Sequence, residues 1–399
     1  MIEKNLHTKF GELIEKFVIS DLTSEEEKQK YLKEISEWIL ENLPDRLFRY
    51  RSGRYSIDGN GDAINYDIES MINGEIWGST PSEFNDKFEG IPFFDIEQLM
   101  KEIDDFKLDN PLVVYIIDLI LDENLPANYK DILNPIIIDN MKRNIRQYKE
   151  SGVKIIEEEL KNFKIEIKKL ILKIFDFSQT NVKELNQFRN VSCFTTNYKS
   201  ILMWGHYADS HKGFVVEYDL KKYINKCLNM ECTSKNRCIN LGLKPLIAPV
   251  IYEENRKQGN IYLFQELVNR LNQLINPTFS FITLDYLFLT KCLLRKSKKW
   301  DYENEWRLFS SIYSGSNFEK YKVILPDKKI NDYKPIQPKA IYMGIDISEK
   351  KKRDLQILCK ALEIPCYQMT VDQYSSKFEI DTKEELSKKY KNKFGIEKI

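Results

Sequence analysis

The sequence predicts an α+β fold: a mixed, mostly antiparallel sheet core with a helical insertion and an N-terminal helix. Three observations predict it. Short alternating or apolar runs recur at Leu47–Arg51, Val191–Phe194, Gly213–Tyr218 and Glu303–Phe309, each short enough for a strand. Residues 96–189 change character to long stretches rich in Lys, Glu, Ile and Leu, of which IIEEELKNFKIEIKKLILKIF is the clearest amphipathic helix. The chain then closes on a strand–helix–strand pattern.

In chain order, residues 1–43 read as a helical appendage. Ser24 stands as an N-cap before Glu25, Glu26 and Glu27, which favour the positive end of a helix dipole. Leu32, Ile35, Trp38, Ile39 and Leu43 recur at helical spacing, and Pro44 ends the run. LFRYR then reads as a strand with Leu47, Arg49 and Arg51 on one face and Phe48 and Tyr50 on the other. The strand stops at Ser52-Gly53. Asn65–Ile72 reads as a short helix ended by Asn73-Gly74, and Ile76–Ser79 as a strand followed by turns at Pro81, Asn85-Asp86 and Gly90.

After the insertion, Val191–Phe194 and Gly213–Tyr218 flank a polar, aromatic segment that holds Trp204, His206, Tyr207, Asp209, His211 and Lys212. It sits between two strands, where a scaffold can hold its side chains in fixed positions. Leu246–Tyr252 reads as a strand, with a helix from about Gln258 to Ile275 and another apolar helix running to about Leu294. The basic run Arg295–Lys299 leads to a strand at Glu303–Phe309, on which Glu303, Glu305 and Arg307 share one face. Ala340–Ile345 is read as strand, Ser348 as cap, Glu349–Leu362 as helix and Ile364–Val371 as strand. Phe378-Glu379-Ile380 is a short edge strand, and residues 381–399 form a charged tail.

Composition bounds the function. Of 399 residues, 42% are hydrophobic, enough for a proper core and too many for a disordered chain. Lys plus Arg equals Asp plus Glu at 61 each, so no global charge draws the protein to nucleic acid or an anionic membrane. The seven cysteines are odd in number and read as reduced thiols. Cys227, Cys232 and Cys238 form a C-x4-C-x5-C run whose spacing fits no common zinc pattern. The N-terminus lacks a signal-peptide core, and the most hydrophobic segment, Pro111–Leu121, is too short to span a bilayer and contains Asp118. A cytoplasmic protein without membrane contact is expected.

Unusual side chains gather in four places: Arg49 and Arg51; Ser79 through Glu89; His206 through Lys212; and Glu303, Glu305 and Arg307. They lie on or beside strands, so a fold can bring them together. Each has a bland reading beside the functional one. The two arginines can pair with Asp86 or Glu89 in a structural network, the Glu303–Arg307 face can be solvated, and His206 can be a hydrogen-bonded core histidine. Trp204 and Tyr207 can be packing, or can stack on an adenine or nicotinamide ring.

LFRYR, STPSEFNDKFEG, FTT…LMWGHYADSHKGF and WDYENEWRLF, in that order, resemble the bacterial DUF2971 family, which has no assigned function. The resemblance covers about residues 44–95 and 190–380. One departure is Lys87, where the family's FNDPFE-like motif has proline. The same order is similar, more weakly, to mono-ADP-ribosyltransferases of the arginine–serine–glutamate type. Arg49 or Arg51 stands for the arginine, Ser79-Thr80 for the Ser-Thr element and Glu303-x-Glu305 for the E-x-E.

That similarity implies an NAD-consuming transferase, with Glu305 as main catalytic carboxylate and Glu303 as its partner. His206 and Asp209 lie nearby. Arg49, Arg51, Ser79, Thr80, Trp204, Tyr207, Lys212 and Arg307 would hold the nucleotide. A guanidinium binds phosphate bidentately, and a carboxylate stabilises the positive charge left on the ribose when nicotinamide departs. The acceptor, protein or nucleic acid, stays open, and the implied setting is antiphage defence or a toxin system. Two alternatives stand beside it. One is a Mg²⁺-dependent nuclease or phosphodiesterase with Asp86, Glu89, His206, Asp209, Glu303 and Glu305 as candidate metal ligands and Lys212 as the phosphate partner, although Glu303-x-Glu305 lacks the lysine of a D…E-x-K core. The other is a non-enzymatic sensor of a nucleotide or a phage protein. In that reading the helical insertion recognises a partner protein.

Overall fold

Alternation in a handful of short apolar strands builds the core of this chain. The computed structural model describes residues 2–16, 25–105, 143, 157–187, 189–221, 247–263, 265–266, 269, 287–311, 322–323 and 336–394. Eight strands make one sheet: β1 (Leu47–Arg51), β2 (Arg189–Thr195), β3 (Phe214–Tyr218), β4 (Ile247–Pro249), β5 (Glu305–Ser311), β6 (Ala340–Met343), β7 (Cys366–Val371) and β8 (Ile380–Thr382). Their order across the sheet is β8-β7-β6-β3-β1-β2-β5-β4. Neighbours run antiparallel except β6 and β7, which are parallel. With the helices below, this is the α+β class expected from the sequence.

The period-2 pattern separates two faces. Leu47, Phe214, Val216, Ile341 and Met343 point into one apolar cluster, and Phe48, Tyr50, Val215, Tyr342 and Met369 into the other. Helices α1 (Ile2–Glu15) and α2 (Glu25–Asn42) cover the first face through Phe10, Ile14, Ile35 and Ile39. The expected N-terminal helical appendage is thus two helices; Ser24, the expected cap, lies outside the described residues.

Helix α3 (Tyr66–Asn73) has sharp ends. The Asn65 side chain accepts from the amides of Asp67 and Ile68, and Gly74 closes it at φ 68°. That left-handed position suits glycine, which has no Cβ to clash. Helices α4 (Ile96–Asp104) and α5 (Glu157–Gln187) lie within residues 96–189. Pro111–Leu121 lies outside the described residues, as do Cys227, Cys232 and Cys238.

The segment between β2 and β3 begins with a short helix, α6 (Ile201–Tyr207), capped by the Ser200 hydroxyl at the Met203 amide. A turn follows in which Asp209, Ser210 and His211 all have positive φ. Helix α7 (Phe288–Leu293) is the described end of the apolar helix expected before Arg295. Leu246–Tyr252 is not one strand. Ile247–Pro249 joins the main sheet, and Ile251–Glu253 pairs in parallel with Arg295–Ser297. The Ser348 hydroxyl caps α8 (Glu349–Ala361), as expected. Within the charged tail, Lys383–Phe394 forms α9, whose Leu386 and Tyr390 are buried. Alternating charges there hid a short apolar stripe. Among the described residues, no helix is long and apolar enough to cross a membrane.

Candidate functional site

Strands β1 and β3 pair along all five residues, Leu47↔Tyr218 to Arg51↔Phe214. Strands β1 and β2 pair at one rung only, Phe48↔Thr195. Farther along β2, Ser79 takes the same edge and exchanges both backbone hydrogen bonds with Val191, at 3.0 and 2.9 Å. Beside it, the Trp77 carbonyl accepts from the Ser192 hydroxyl at 3.0 Å and from the Arg49 guanidinium. The segment Trp77–Ser79 therefore stands where β1 would have continued, and a cavity of about 250 Å³ occupies the parting.

This cavity draws on both faces of the sheet. Arg49 and Arg51 reach it from the face of Leu47. Phe48, Tyr50, Met203 and Tyr207 reach it from the other, with Glu303, Glu305, Arg307, Cys193 and Lys296. Ser79, Asn85, Asp86 and Glu89 complete the wall. Residues on opposite faces of a closed sheet never meet, so their convergence depends on the parting.

On one side three carboxylates meet two cations. Glu303 and Glu305 are each 3% exposed, Arg307 is 0% and Lys296 is 8%. Arg307 grips Glu305 bidentately, Nε to Oε1 at 2.8 Å and Nη2 to Oε2 at 3.1 Å. Its remaining donors go to Glu89 and to the Leu293 carbonyl. Lys296 Nζ lies 2.6 Å from Glu303, 3.1 Å from Glu305 and 3.3 Å from Glu89. Tyr207 donates its hydroxyl to Glu303 at 2.7 Å, and the Tyr252 hydroxyl accepts the Glu305 amide at 2.7 Å.

Three buried carboxylates thus share two cations, and they titrate apart. Burial alone would raise Glu305, but Arg307 and Lys296 hold it well below the usual carboxylate range. Burial and the nearby Glu305 charge leave Glu303 raised, against the pull of Lys296 and Tyr207. Glu89 is raised as well, by burial and Glu305, with Arg307 opposing. Cys193, beside Glu305, is pushed well above its ordinary thiol value by burial.

Glu303 and Glu305 do not share a strand face. Glu303 ends the turn Lys298–Glu303, Asn304 is left-handed at φ 43°, and β5 begins at Glu305. The reversal at Asn304 lets both carboxylates reach Lys296. The Thr195 hydroxyl fixes the turn by donating to the Glu303 carbonyl.

On the other side stands Arg49. It is half-buried and lines the cavity, and its ring contact is Phe194 at 5.9 Å. Among the described residues no carboxylate pairs with it. Burial and the neighbouring Arg51 push its guanidinium down to about 10. Arg51 is committed to Asp67, which also accepts the Gly53 amide at 3.0 Å.

Other expected residues lie elsewhere. Trp204 is fully buried in the core, stacked at 9° on His211, and donates its indole N–H to the Tyr198 carbonyl. His206 is exposed and meets the Tyr302 hydroxyl at 3.1 Å outside the cavity wall. Asp209 pairs with Arg54 at 2.7 Å, and Lys212 is exposed. Thr80 forms a capping box with Glu83 around Pro81–Glu83, so it shapes the turn and takes no place in the wall. Lys87 closes its own turn by donating to the Phe84 carbonyl at 3.1 Å, a tie that stands where the family motif has proline.

The metal reading finds little support in this geometry. Among the described residues, no group of three His, Cys, Asp or Glu is placed to hold a metal ion. Glu89 already has Lys296 and Arg307 on its two oxygens. Asp86 turns to accept the Phe88 amide.

Sequence reasoning missed Lys296 and Cys193. Cys193 was one of an apolar run, and Lys296 one of five residues in a basic run that resembles any solvated segment. A signal did exist: a lysine flanked by apolar Leu293-Leu294 and Trp300 is poorly placed to stay solvated.

No curated protein matches this chain, and no solved structure does. Residues 203–308, which run from α6 through β3 and β4 to β5 and carry Lys296, Glu303, Glu305 and Arg307, match the family described as Protein of unknown function (DUF2971), the family that the sequence motifs resemble.

Proposed function

We propose that the cavity binds NAD and that the protein transfers its ADP-ribosyl group to an acceptor. The observation that carries this reading is the polarity of the cavity. A half-buried guanidinium with no carboxylate partner among the described residues, Arg49, stands on one side, and three carboxylates sharing two cations stand on the other. Arg49 is an excess positive charge and the carboxylate cluster an excess negative one. A ligand that answers both has an anionic part and a part that is, or becomes, cationic. NAD has a pyrophosphate for Arg49 and a pyridinium ribosyl bond for the carboxylates.

The chemistry follows from the side chains. The bond from the ribose carbon to the nicotinamide nitrogen breaks with its electron pair going to nicotinamide. Positive charge develops on the ribose, and a carboxylate beside it lowers that barrier. The acceptor's nucleophile then bonds to the same carbon and gives its proton to a carboxylate.

We assign this work to Glu303. Its partners are a neutral phenol and one lysine, and its raised proton affinity suits proton exchange. Glu305, which the sequence comparison suggested as the main catalyst, is held by Arg307 through both oxygens and serves as the anchor.

The test is nicotinamide release from NAD by purified protein, with a cell lysate present as acceptor, against the variants Glu303→Gln and Arg49→Leu. Release that falls about 100-fold in Glu303→Gln, with a raised KM in Arg49→Leu, supports the reading. Wild-type protein that neither binds nor turns over NAD overturns it.

A further inference from the structure

The sequence comparison assigns nothing to Lys296, yet Lys296 is the hub of the buried cluster. We infer that Lys296 is a positioning residue: it fixes the Glu303 carboxylate at the cavity wall, and Glu303 depends on it more than any other member of the cluster does.

The partner lists carry this. Removing Lys296 leaves Glu305 with both oxygens on Arg307, and it leaves Glu89 with its Arg307 contact. Among the described residues, Glu303 would keep only the Tyr207 hydroxyl, a neutral donor. The shortest of the three lysine contacts is also the one to Glu303, at 2.6 Å against 3.1 and 3.3 Å. An ammonium has three N–H donors in a compact head; here it hydrogen-bonds Glu303 and Glu305 and faces Glu89 as an ion pair at 3.3 Å.

The stem of Lys296 is fixed as well. Its strand, Arg295–Ser297, is paired along Ile251–Glu253. Its neighbour Arg295 is pinned to Glu253 at 2.8 Å and to Glu15. The Trp300 ring sits 5.0 Å from Nζ and shields it from water. A lysine held this way cannot follow a displaced carboxylate, so it dictates where Glu303 stands.

Tyr207 supplies the second coordinate. It comes from α6, and its neighbour His206 contacts Tyr302, the residue before Glu303. Two consecutive residues of α6 therefore hold two consecutive residues of the turn. The carboxylate is fixed by Lys296 on Oε2 and by Tyr207 on Oε1.

This inference rests on the proposed role of Glu303 for its catalytic arm only, and the experiment has two arms. The first is structural and needs no substrate: crystal structures of Lys296→Met and Lys296→Arg. In Lys296→Met, Glu303 is expected to leave its wild-type rotamer while Glu305, Glu89 and Arg307 keep theirs. Lys296→Arg, which restores the charge, is expected to return Glu303 toward the cavity.

The second arm is kinetic. Lys296→Met is expected to lower kcat for nicotinamide release about 100-fold, with KM for NAD unchanged within about twofold. Lys296→Arg is expected to regain about tenfold of that loss by restoring the charge. A Glu303 that stays in place in Lys296→Met, or a loss expressed wholly in KM, overturns the inference. Wild-type protein inert toward NAD would remove the transferase reading, and the crystallographic arm would still decide what Lys296 does.

Discussion

Replacing Arg307 with methionine tests the electrostatic core of the site. Arg307 is fully buried and bonded to Glu305 through two nitrogens, to Glu89 and to the Leu293 carbonyl. Methionine fills much of the volume, so the effect is chiefly electrical. Glu305 and Glu89 would then share Lys296 with Glu303, three carboxylates on one ammonium. Breaking a buried pair by removing one partner costs about 3–5 kcal/mol, because the remaining charge stays desolvated. The assay is urea unfolding followed by tryptophan fluorescence; Trp306, beside Arg307 and fully buried, should report the loss of the core. The pH dependence supplies a second check. Arg307 depresses Glu305, so its contribution is present above the ordinary carboxylate value of 4.5 and is lost as pH falls through the folded value. The gap between wild type and variant should therefore be full near neutrality and narrow as pH drops below about 4.5. A cost below about 1 kcal/mol, of the size seen for surface pairs, or a gap that widens in acid, would refute the idea that this cluster is a desolvated network.

Further outcomes follow from the same geometry. Asn304 is left-handed at φ 43°, so Asn304→Val should destabilise by about 1–2 kcal/mol in the same urea assay, while Asn304→Gly should be close to neutral. Burial and Glu305 raise Glu303, and a raised carboxyl contributes stability that is complete below 4.5 and lost as pH rises through the folded value. Paired urea titrations should find wild type losing stability relative to Glu303→Gln as pH rises above the ordinary value of 4.5. Tyr207→Phe removes one donor from Glu303 and should shift its titration upward, read by carbon NMR of labelled glutamate against Glu303→Gln as the assignment control.

Alternation made much of the sheet legible. Leu47–Arg51, Gly213–Tyr218 and Ala340–Ile345 place their side chains on two faces, and that periodicity is local. The co-location of Arg49, Arg51, Ser79, Asp86, Glu89, Glu303, Glu305 and Arg307 around one cavity was anticipated only in outline. The parting of β1 and β2, which unites the two faces, depends on Ser79 taking the edge at Val191, a contact across more than a hundred residues with no local signature. The reversal at Asn304 was equally hidden. ENEWRLF alternates well enough to read as one strand, and only the tertiary demand of Lys296 separates Glu303 from it. His206 and Asp209 attracted notice because histidine and aspartate are versatile. Their positions on a helix and a surface turn follow from the Ser200 cap and the Arg54 pair.

The decisive contrast lies between Glu303→Gln and Glu305→Gln, because the two glutamates are equally buried and differ in their partners. A network that exists only to hold the fold should respond to both changes with a loss of stability. A working site should divide them. Glu305→Gln leaves Arg307 with an amide in place of a bidentate carboxylate, so it should cost roughly 3–5 kcal/mol of stability. Glu303→Gln removes the carboxylate that Lys296 shares among three, and the remaining two carboxylates then balance two cations. That variant should be as stable as wild type near neutral pH, or more so, while losing any turnover the protein has. That outcome would mark Glu303 as a group the fold does not need, which is what the proposed catalytic role requires. Equal destabilisation by both substitutions would refute that division and return the cluster to scaffolding.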